Sequence, residues 1–387
     1  MSFAPEIIGQ ILSFVGEDVP SIKACTLISP IWCSVAQPLL FSEIYTDTRP
    51  LMPGSARNPE DLASTLARSP HLARSVVKYR LVGDVRSPGK AALDITSTLT
   101  QLRHLEFSAN ENANLHPQLT SAFPAILSST RLTSLRLFGI CDFPAEAFQH
   151  CIVLQHLVLQ YTTLTGLDGL LIARSPKVQL HTFSFATCAL ASSGSREREA
   201  FEWFMEPSCS FDVSKLQVFL SSDTAQDPRS SELFNQFVSK FPRSLGRVLI
   251  APCPRFPTSV SPPLQLVCLH TLEIPFTVEP TDGVSWTVNF LSNLTAPSLL
   301  RRVVLHYERP RFFDALVGLA PMDTCLSSEA FQSLEGVTVV IYTRAFVMTI
   351  TSRFRNVFHS LEAKKMLTVT NYDVVHYADI ISGPLPG

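Results

Sequence analysis

A leucine-based pattern recurs along most of this chain and limits what the chain can fold into. It consists of an apolar residue, usually leucine, then two variable residues, a second apolar residue, one variable residue and a third apolar residue. Clear copies begin at Leu102, Leu132, Leu154, Leu180 and Leu300. The alternation of apolar and other residues within each copy has a period of two. This period predicts a short β-strand with one buried face.

About ten copies follow one another, and from Leu102 onward they start 22 to 36 residues apart. The other copies are Leu245-Val248-Ile250, Leu269-Leu272-Ile274, Leu334-Val337-Val339, Val76-Tyr79-Leu81, which lacks the leading leucine, and a looser match at Leu216-Val218-Leu220. Apolar residues at helical spacing lie between several of them, as at Leu233, Phe234, Phe237 and Val238. Strands that alternate with helices predict the α/β class with parallel strands, because parallel neighbours need a long crossover connection.

The strand pattern is similar to that of leucine-rich repeats, whose consensus is LxxLxLxxN/CxL. Asn110, Thr162 and Cys188 occupy the N/C position in the three best copies. A side chain at this position must hydrogen-bond the backbone at the bend after the strand, since buried amides need partners. The resemblance implies an irregular solenoid of strands and helices. An ordinary parallel α/β domain would give a similar alternation, and this alternative stays open.

Residues 3–44 predict three short helices with many apolar side chains. Pro5 suits the start of the first helix, Asp18 can cap the second, and Pro30 can begin the third. The apolar stripe of the first helix is expected to comprise Ile7, Ile8, Ile11, Leu12 and Val15. Three helices of this length cannot bury so many large apolar side chains alone. The surplus therefore packs either on the rest of the chain or on a partner.

This N-terminal segment is similar to an F-box, in particular to the F-boxes of large fungal families. The resemblance rests on Pro5-Glu6-Ile7-Ile8, on Leu27-Ile28-Ser29 followed by Trp32, and on the segment from Ala36 to Phe41. It implies that the segment docks on a Skp-type adaptor. The implied contact residues are Pro5, Ile8, Leu12, Leu27, Ile28, Trp32, Leu40 and Phe41.

Together the two resemblances imply an α/β chain in four parts. These are a three-helix F-box domain over 1–48, a linker over 49–60, an irregular leucine-rich-repeat solenoid over 61–380 and a tail over 381–387. The implied function is that of the substrate-recognition subunit of a Skp–cullin–F-box (SCF) ubiquitin ligase. The F-box would bind the adaptor, and through it a cullin–RING ligase, while the repeats bind a target protein. Such a subunit is not itself an enzyme.

Two other functions remain open on the sequence. The repeats can serve as a protein-interaction scaffold whose F-box is no longer used, and Pro30 favours this because a polar or basic residue is usual there. The chain can also be an enzyme with a scattered active site, such as a hydrolase on an α/β fold. A pull-down with the purified adaptor separates the first alternative, and a single deep polar pocket would favour the second.

The outward-facing residues of the repeat strands are the candidates for contact with the target protein. They alternate with the core leucines, as the geometry of repeats requires. They are Arg103, Arg136, Gln155, His156, His181 and Thr182. This mixed and weakly charged set indicates no particular class of ligand.

The sequence contains none of the catalytic motifs GxSxG, HExxH or GxGxxG. The segment from Gly83 to Lys90 resembles a phosphate loop, but it has five residues between its glycines and Ala91 in place of the metal-binding hydroxyl. It is better interpreted as a polar turn. His150, Cys151 and His156 lack a fourth ligand at a usable spacing. The sequence therefore predicts no catalytic residue, no metal site and no cofactor.

Charge and apolar patterning indicate the compartment and exclude some partners. The formal net charge is −2 and the pI is about 6.6, so nothing favours binding to nucleic acid or to an anionic membrane. The start of the chain lacks the basic region and long apolar core of a secretory signal, and no apolar run approaches 18 residues. Nine singly placed cysteines suit a reducing compartment. A cytoplasmic or nuclear location is expected.

Overall fold

The computed structural model describes an α/β chain in two compact units, Met1–Val178 and Gln179–Gly387. The described residues are 3–15, 18–48, 59–128, 131–166, 178–186, 202–204, 209, 211–213, 216–221, 244–250, 268–276, 280–294, 299–308, 318–342 and 347–372. Most of the expected linker, Cys188 and the expected tail over 381–387 lie outside these residues. The expected domain boundaries therefore stay predictions.

The first unit begins with three helices, α1 (Pro5–Val15), α2 (Val19–Cys25) and α3 (Pro30–Leu40). Proline lies in the first turn of α2 and α3, where its missing N–H would have no helical partner in any case. The hydroxyl of Ser29 caps α3 by accepting a hydrogen bond from the backbone N–H of Trp32 at 3.4 Å. Pro30 is therefore compatible with the start of α3.

Five strands of the first unit pair side by side, all parallel and in chain order. They are β1 (Glu43–Asp47), β2 (Lys78–Gly83), β3 (His104–Asn114), β4 (Ser134–Cys141) and β6 (His156–Gln160). The short strands β5 (Phe143–Pro144) and β7 (Leu164–Thr165) form a separate parallel pair. The helices between the strands are α4 (Pro59–Arg68), α5 (Pro70–Ala73), α6 (Gly89–Thr98) and α7 (Pro117–Leu127), with a 3₁₀ helix over Ala145–His150.

The second unit repeats this arrangement. Its paired strands are β9 (Thr182–Ala186), β11 (Val218–Ser221), β12 (Arg247–Ile250), β13 (Thr271–Phe276), β14 (Arg302–Glu308), β15 (Gly336–Tyr342) and β16 (Leu367–Tyr372), again parallel and in chain order. The short strands β8 (Val178–Gln179) and β10 (Phe211–Asp212) complete the set of described strands. The helices are α8 (Pro280–Ser292), α9 (Ala320–Leu326), α10 (Val347–Val357) and α11 (His359–Ala363), with a 3₁₀ turn over Glu329–Phe331. The α/β class predicted from the sequence is confirmed.

The leucine pattern sets the strand register. In the first unit Leu105 lies beside Tyr79 and Leu135, and Leu135 lies beside Leu157. All four side chains are at most 1% exposed. The third apolar position stacks in the same way two residues further along each strand. Identical positions of successive copies therefore form continuous buried rows across the sheet, and each row gains apolar burial from both neighbours.

One copy of the pattern was assigned to the wrong residues. The sequence predicts Val218 and Leu220 at the second and third apolar positions, but in the structure Val218 lies beside Thr182 and Phe219 lies beside Phe183. Leu216, which is fully buried, keeps the first position. With two residues after Leu216, the spacing of the repeat itself selects Phe219, whereas the looser match to Val218 and Leu220 followed alternation alone.

Thr162 fills the polar position that follows β6. Its side chain is buried, and its hydroxyl lies 3.0 Å from the carbonyl oxygen of Leu137 and 3.1 Å from that of Gln160. The hydroxyl thus donates to the backbone at the bend after the strand, as the sequence predicts for this position. The side chain of Asn110 lies outside the described part of the structure.

A buried carboxylate joins two helices of the second unit and gives a first prediction. Asp323 in α9 is 1% exposed, and its two oxygens accept the backbone N–H groups of Ser360 and Leu361 in α11, each at 3.0 Å. Asp323→Ala removes both acceptors, so we expect the free energy of unfolding to fall by about 2–4 kcal/mol. Asp323→Asn keeps one acceptor oxygen and should lose about half as much. Denaturant midpoints measure both, and an unchanged midpoint for Asp323→Ala would contradict the role of the carboxylate.

Candidate protein-binding surfaces

The three N-terminal helices have an interior of their own. Ile8, Leu12, Ile22 and Ala36 form its buried centre, and each is at most 5% exposed. The partly buried side chains that pack against this centre are Val15, Cys25, Trp32, Val35 and Leu40. The interior is thus built from residues of α1, α2 and α3 alone.

The outer surface of the same helices is unusually apolar. Ten of the thirteen exposed large apolar side chains in the described part of the chain lie between residues 3 and 45. Nine lie on the helices or in the segments next to them, namely Phe3, Ile7, Ile11, Phe14, Val19, Leu27, Ile28, Ile31 and Leu39, and the tenth, Tyr45, lies on β1. The most exposed are Phe14 at 90%, Leu27 at 87% and Ile28 at 61%. Apolar groups concentrated in one short segment mark a surface that a partner covers more readily than scattered ones do.

The structure divides the eight predicted adaptor contacts into two groups. Pro5, Leu27 and Ile28 are exposed, and the last two lie in the turn between α2 and α3. The remaining five are at least partly buried. Of these, Ile8 and Leu12 are 1% exposed, whereas Trp32, Leu40 and Phe41 are of intermediate exposure. Ile8 and Leu12 therefore pack in the interior of the three helices and offer little surface to a partner.

The stripe expected on α1 is split between two faces. Ile8 and Leu12 point inward, while Ile7 and Ile11 are 46% and 38% exposed. Phe14, which is not part of the expected stripe, continues the outer row because residues 7, 11 and 14 follow helical spacing. This second row of apolar residues is visible in the sequence and could have predicted the exposed apolar surface of α1.

The residues predicted to meet the target protein lie at or near the starts of the strands. In the first unit Arg103 and Gln155 are exposed, and Arg136 and His156 are half-buried. In the second unit His181 is half-buried. Thr182 is 6% exposed, so its side chain offers little surface to a target protein, and its role as a contact stays a prediction. The sequence pattern cannot show that Thr182 is buried, because the burial of an outward-facing residue depends on neighbouring segments.

The outward face of β1 to β4 carries a row of charged side chains. The guanidinium Nε of Arg80 lies 2.7 Å from the carboxylate of Glu106, and its carbon lies 5.7 Å from the ring centre of Tyr45. Glu106 in turn lies beside Arg136 in the strand register. Burial lowers the pKa of Arg136, and neighbouring Arg80 lowers it further, while Glu106 acts in the opposite direction.

A second polar row crosses four strands of the other unit. The carboxylate of Glu273 on β13 pairs with the guanidinium of Arg247 on β12 and lies 2.9 Å from Nε2 of His306 on β14. Nδ1 of His306 lies 2.9 Å from the hydroxyl of Tyr342 on β15. Although burial favours the neutral carboxyl, the bonds to His306 and Arg247 outweigh it and lower the pKa of Glu273. The sequence gives no signal for this row, because its members lie on different strands.

The weak metal motif at His150, Cys151 and His156 gains no further ligands among the described residues. Burial raises the pKa of the Cys151 thiol to about 12, so this sulfur stays protonated and is a poor ligand. Within the described ranges, no three His, Cys, Asp or Glu side chains come together as a metal site would require. No described helix combines the length and the apolar character needed to cross a bilayer.

The described residues define an α/β chain with two sets of parallel strands and an apolar N-terminal helical surface. Comparison with protein-family models and with curated proteins finds no match to this chain.

Proposed function

We propose that this chain is the substrate-recognition subunit of an SCF ubiquitin ligase. In this role the helices α1 to α3 act as an F-box that docks on a Skp-type adaptor, and the strands form a leucine-rich-repeat solenoid that holds the target protein. The observation that carries the proposal is the concentration of exposed apolar side chains on α1 to α3. Ligase chemistry resides in the partners, so this subunit contributes by raising the concentration of the target near the activated ubiquitin.

The exposed apolar side chains of the helices fit a protein partner. Ile7, Ile11 and Phe14 lie on the outer side of α1, and Leu27 and Ile28 lie in the turn between α2 and α3. Large apolar side chains that a partner covers fully contribute about 1.5–3 kcal/mol each. Two or three such anchors are enough to give a specific interface its binding energy.

The strands support the second half of the proposal. Within each unit the longer strands pair in parallel and in chain order, and described helices lie between several of them. Thr162 also hydrogen-bonds the backbone at the position where the repeat consensus needs a polar side chain. A parallel array of this kind presents the outward face of many strands to a single target.

The experiment that tests the proposal measures binding to a purified Skp-type adaptor by calorimetry. We expect Leu27→Ser combined with Ile28→Ser to weaken binding at least 100-fold, because two exposed anchors of about 1.5–3 kcal/mol each are lost. Ile152→Ser is the matched control, since Ile152 is 53% exposed and lies outside the three helices. The control should bind as the wild type does.

A wild-type protein that does not bind the adaptor would overturn the assignment and favour the scaffold without a ligase role. Unchanged affinity in the Leu27/Ile28 double variant would place the docking surface elsewhere. Because both residues are exposed, the double variant is expected to keep the thermal midpoint of the wild type.

A further inference from the structure

β16 forms an edge of the parallel sheet in the second unit. It pairs with β15, and no other described strand lies on its far side, here called the open edge. An edge strand presents backbone N–H and C=O groups that can pair with another chain. Burial and composition of β16 both indicate that a further strand covers this edge.

The buried rows of the second unit are incomplete at β16. Val337 and Val339 on β15 are 0% exposed. Their partners in the strand register, Leu367 and Val369, are only half-buried. In the first unit, by contrast, the edge strand β1 keeps Ile44 at 4% exposure. A strand added at the open edge would therefore bury further apolar surface of Leu367 and Val369.

The composition of β16 does not protect its edge. Natural edge strands are commonly protected by charged residues, by proline or by bulges. β1 follows this rule, since it carries Glu43 and Asp47. β16 reads LTVTNY, without charge and without proline, and it pairs with β15 without a shift of register. A strand of this kind can lie beside its own copy without electrostatic repulsion.

The direction of the backbone groups fixes which residues face the open edge. The N–H of Val337 donates to the carbonyl oxygen of Met366 at 2.8 Å, so this carbonyl points toward β15. Successive residues of a strand alternate in the direction of their N–H and C=O groups. Leu367, Val369 and Asn371 therefore direct both groups to the open edge.

We propose that the open edge of β16 pairs with β16 of a second copy of this chain, antiparallel and about a two-fold axis at Val369. In this register Val369 lies opposite its own copy, Leu367 lies opposite Asn371, and Thr368 lies opposite Thr370. Every N–H that one copy directs to the open edge then meets a C=O of the other copy. The pairs of threonines across the two strands stabilise the pairing further.

A second copy suits this edge better than a strand of another protein does. The residues that face the open edge are spaced symmetrically about Val369, so one segment supplies both sides of the interface. A two-fold pairing of identical edges is closed and leaves neither β16 open. Pairing of β16 with β1 of another copy would not close, and it would give filaments in place of dimers.

Sedimentation equilibrium of the full chain tests the inference. The interface is small, so we expect a Kd in the micromolar range. The weight-average mass should rise from 42.8 kDa toward twice this value as the protein concentration increases from about 1 μM to about 200 μM.

Asn371→Pro should raise the Kd of the dimer about tenfold or more. Proline removes the N–H of residue 371 from the open edge, while the bonds to β15 come from the alternate residues and stay intact. Asn371→Ala is the matched control, because it changes the same exposed side chain and keeps the N–H. The control should dimerise as the wild type does.

An exchange of charge tests whether the added strand belongs to a second copy. Thr368→Lys combined with Thr370→Lys places lysines opposite one another in the two-fold pair, so this variant should be monomeric. Thr368→Glu combined with Thr370→Glu should be monomeric for the same reason. An equimolar mixture of the two variants should form mixed dimers, whose Kd rises with salt. Both threonines lie on the outward face and are exposed or half-buried, so these variants remain informative if Asn371→Pro folds poorly.

A wild type that stays monomeric over this range of concentration would overturn the inference. Normal dimers of Asn371→Pro or of the lysine variant would also overturn it, as would assembly that continues beyond the dimer. Hydrogen exchange should show that the amides of residues 367, 369 and 371 gain protection as the concentration rises. Full protection in the monomer would mean that the same chain covers this edge, which would contradict the inference. None of these outcomes depends on adaptor binding by α1 to α3.

Discussion

Ile8→Asp combined with Leu12→Asp is expected to unfold the three N-terminal helices. Both side chains are 1% exposed and lie at the centre of the small interior shared by α1, α2 and α3. A carboxylate buried there without a partner costs several kcal/mol, and two of them exceed what so small an interior can supply. Adaptor binding should be lost as a consequence of unfolding.

Hydrogen exchange measures this outcome residue by residue. Amides of residues 5–40 should exchange quickly in the double variant, while those of β2 and β3 stay protected. Ile7→Asp combined with Ile11→Asp is the matched control, because it changes the same helix at positions that are 46% and 38% exposed. The control should keep protected amides over α1, and equal loss of protection in both variants would refute the division of α1 into two faces.

Glu273→Ala is expected to lower the free energy of unfolding by about 3–5 kcal/mol. The side chain of Glu273 is 4% exposed, and its removal leaves Arg247 and His306 without the carboxylate that pairs with both. Glu335→Ala is the matched control, since Glu335 also pairs with an arginine, Arg301, but the side chains of that pair are 53% and 60% exposed. The control should cost at most about 1 kcal/mol. Denaturant titration compares the two, and equal effects would contradict a stabilising role for the buried pair.

The stabilising effect of Glu273 should depend on pH with a defined sign. Its pKa in the folded chain lies below its ordinary value, so the folded state favours the ionised form. The contribution is therefore fully present above the pKa of the unfolded chain, about 4.3, and is lost as the pH falls through the lower folded value. The stability difference between the wild type and Glu273→Ala should shrink on acidification below about pH 4. A difference that grows in acid would show that the sign is wrong.

The strands that the sequence predicts follow the leucine pattern, and the strands that it misses depart from it. The second and third positions of all ten copies fall in observed strands and the leading residue lies just before the strand, because alternating apolar residues fit a strand with one buried face. β1 was missed because Thr46, which is 2% exposed, stands where the pattern has an apolar residue. β16 was missed because it lacks a leading leucine, although Leu367 and Val369 lie in register with Val337 and Val339.

The candidate surfaces were less predictable than the fold. Ile7, Ile8, Ile11 and Leu12 are all apolar, so the sequence indicates an apolar helix but not which side faces inward. The charged row around Glu106 and the polar row around Glu273 each consist of residues from different strands. The hydrophobic pattern does not show which charged side chains of neighbouring strands lie side by side. The polar character of Thr162 was predictable because one of its hydrogen bonds, to the carbonyl of Gln160, is local to the bend after the strand.

The order of the strands has a consequence for how the chain folds during its synthesis. Apart from the short strands β5, β7, β8 and β10, the strands of each unit pair in chain order. When a new strand is synthesised, the strand that it pairs with has therefore already left the ribosome. Pairing of this kind closes only short loops and does not wait for the C-terminus. Nascent chains halted after β4 should therefore already hold β1 to β4 in protease-resistant form, and co-translational folding can advance one strand at a time.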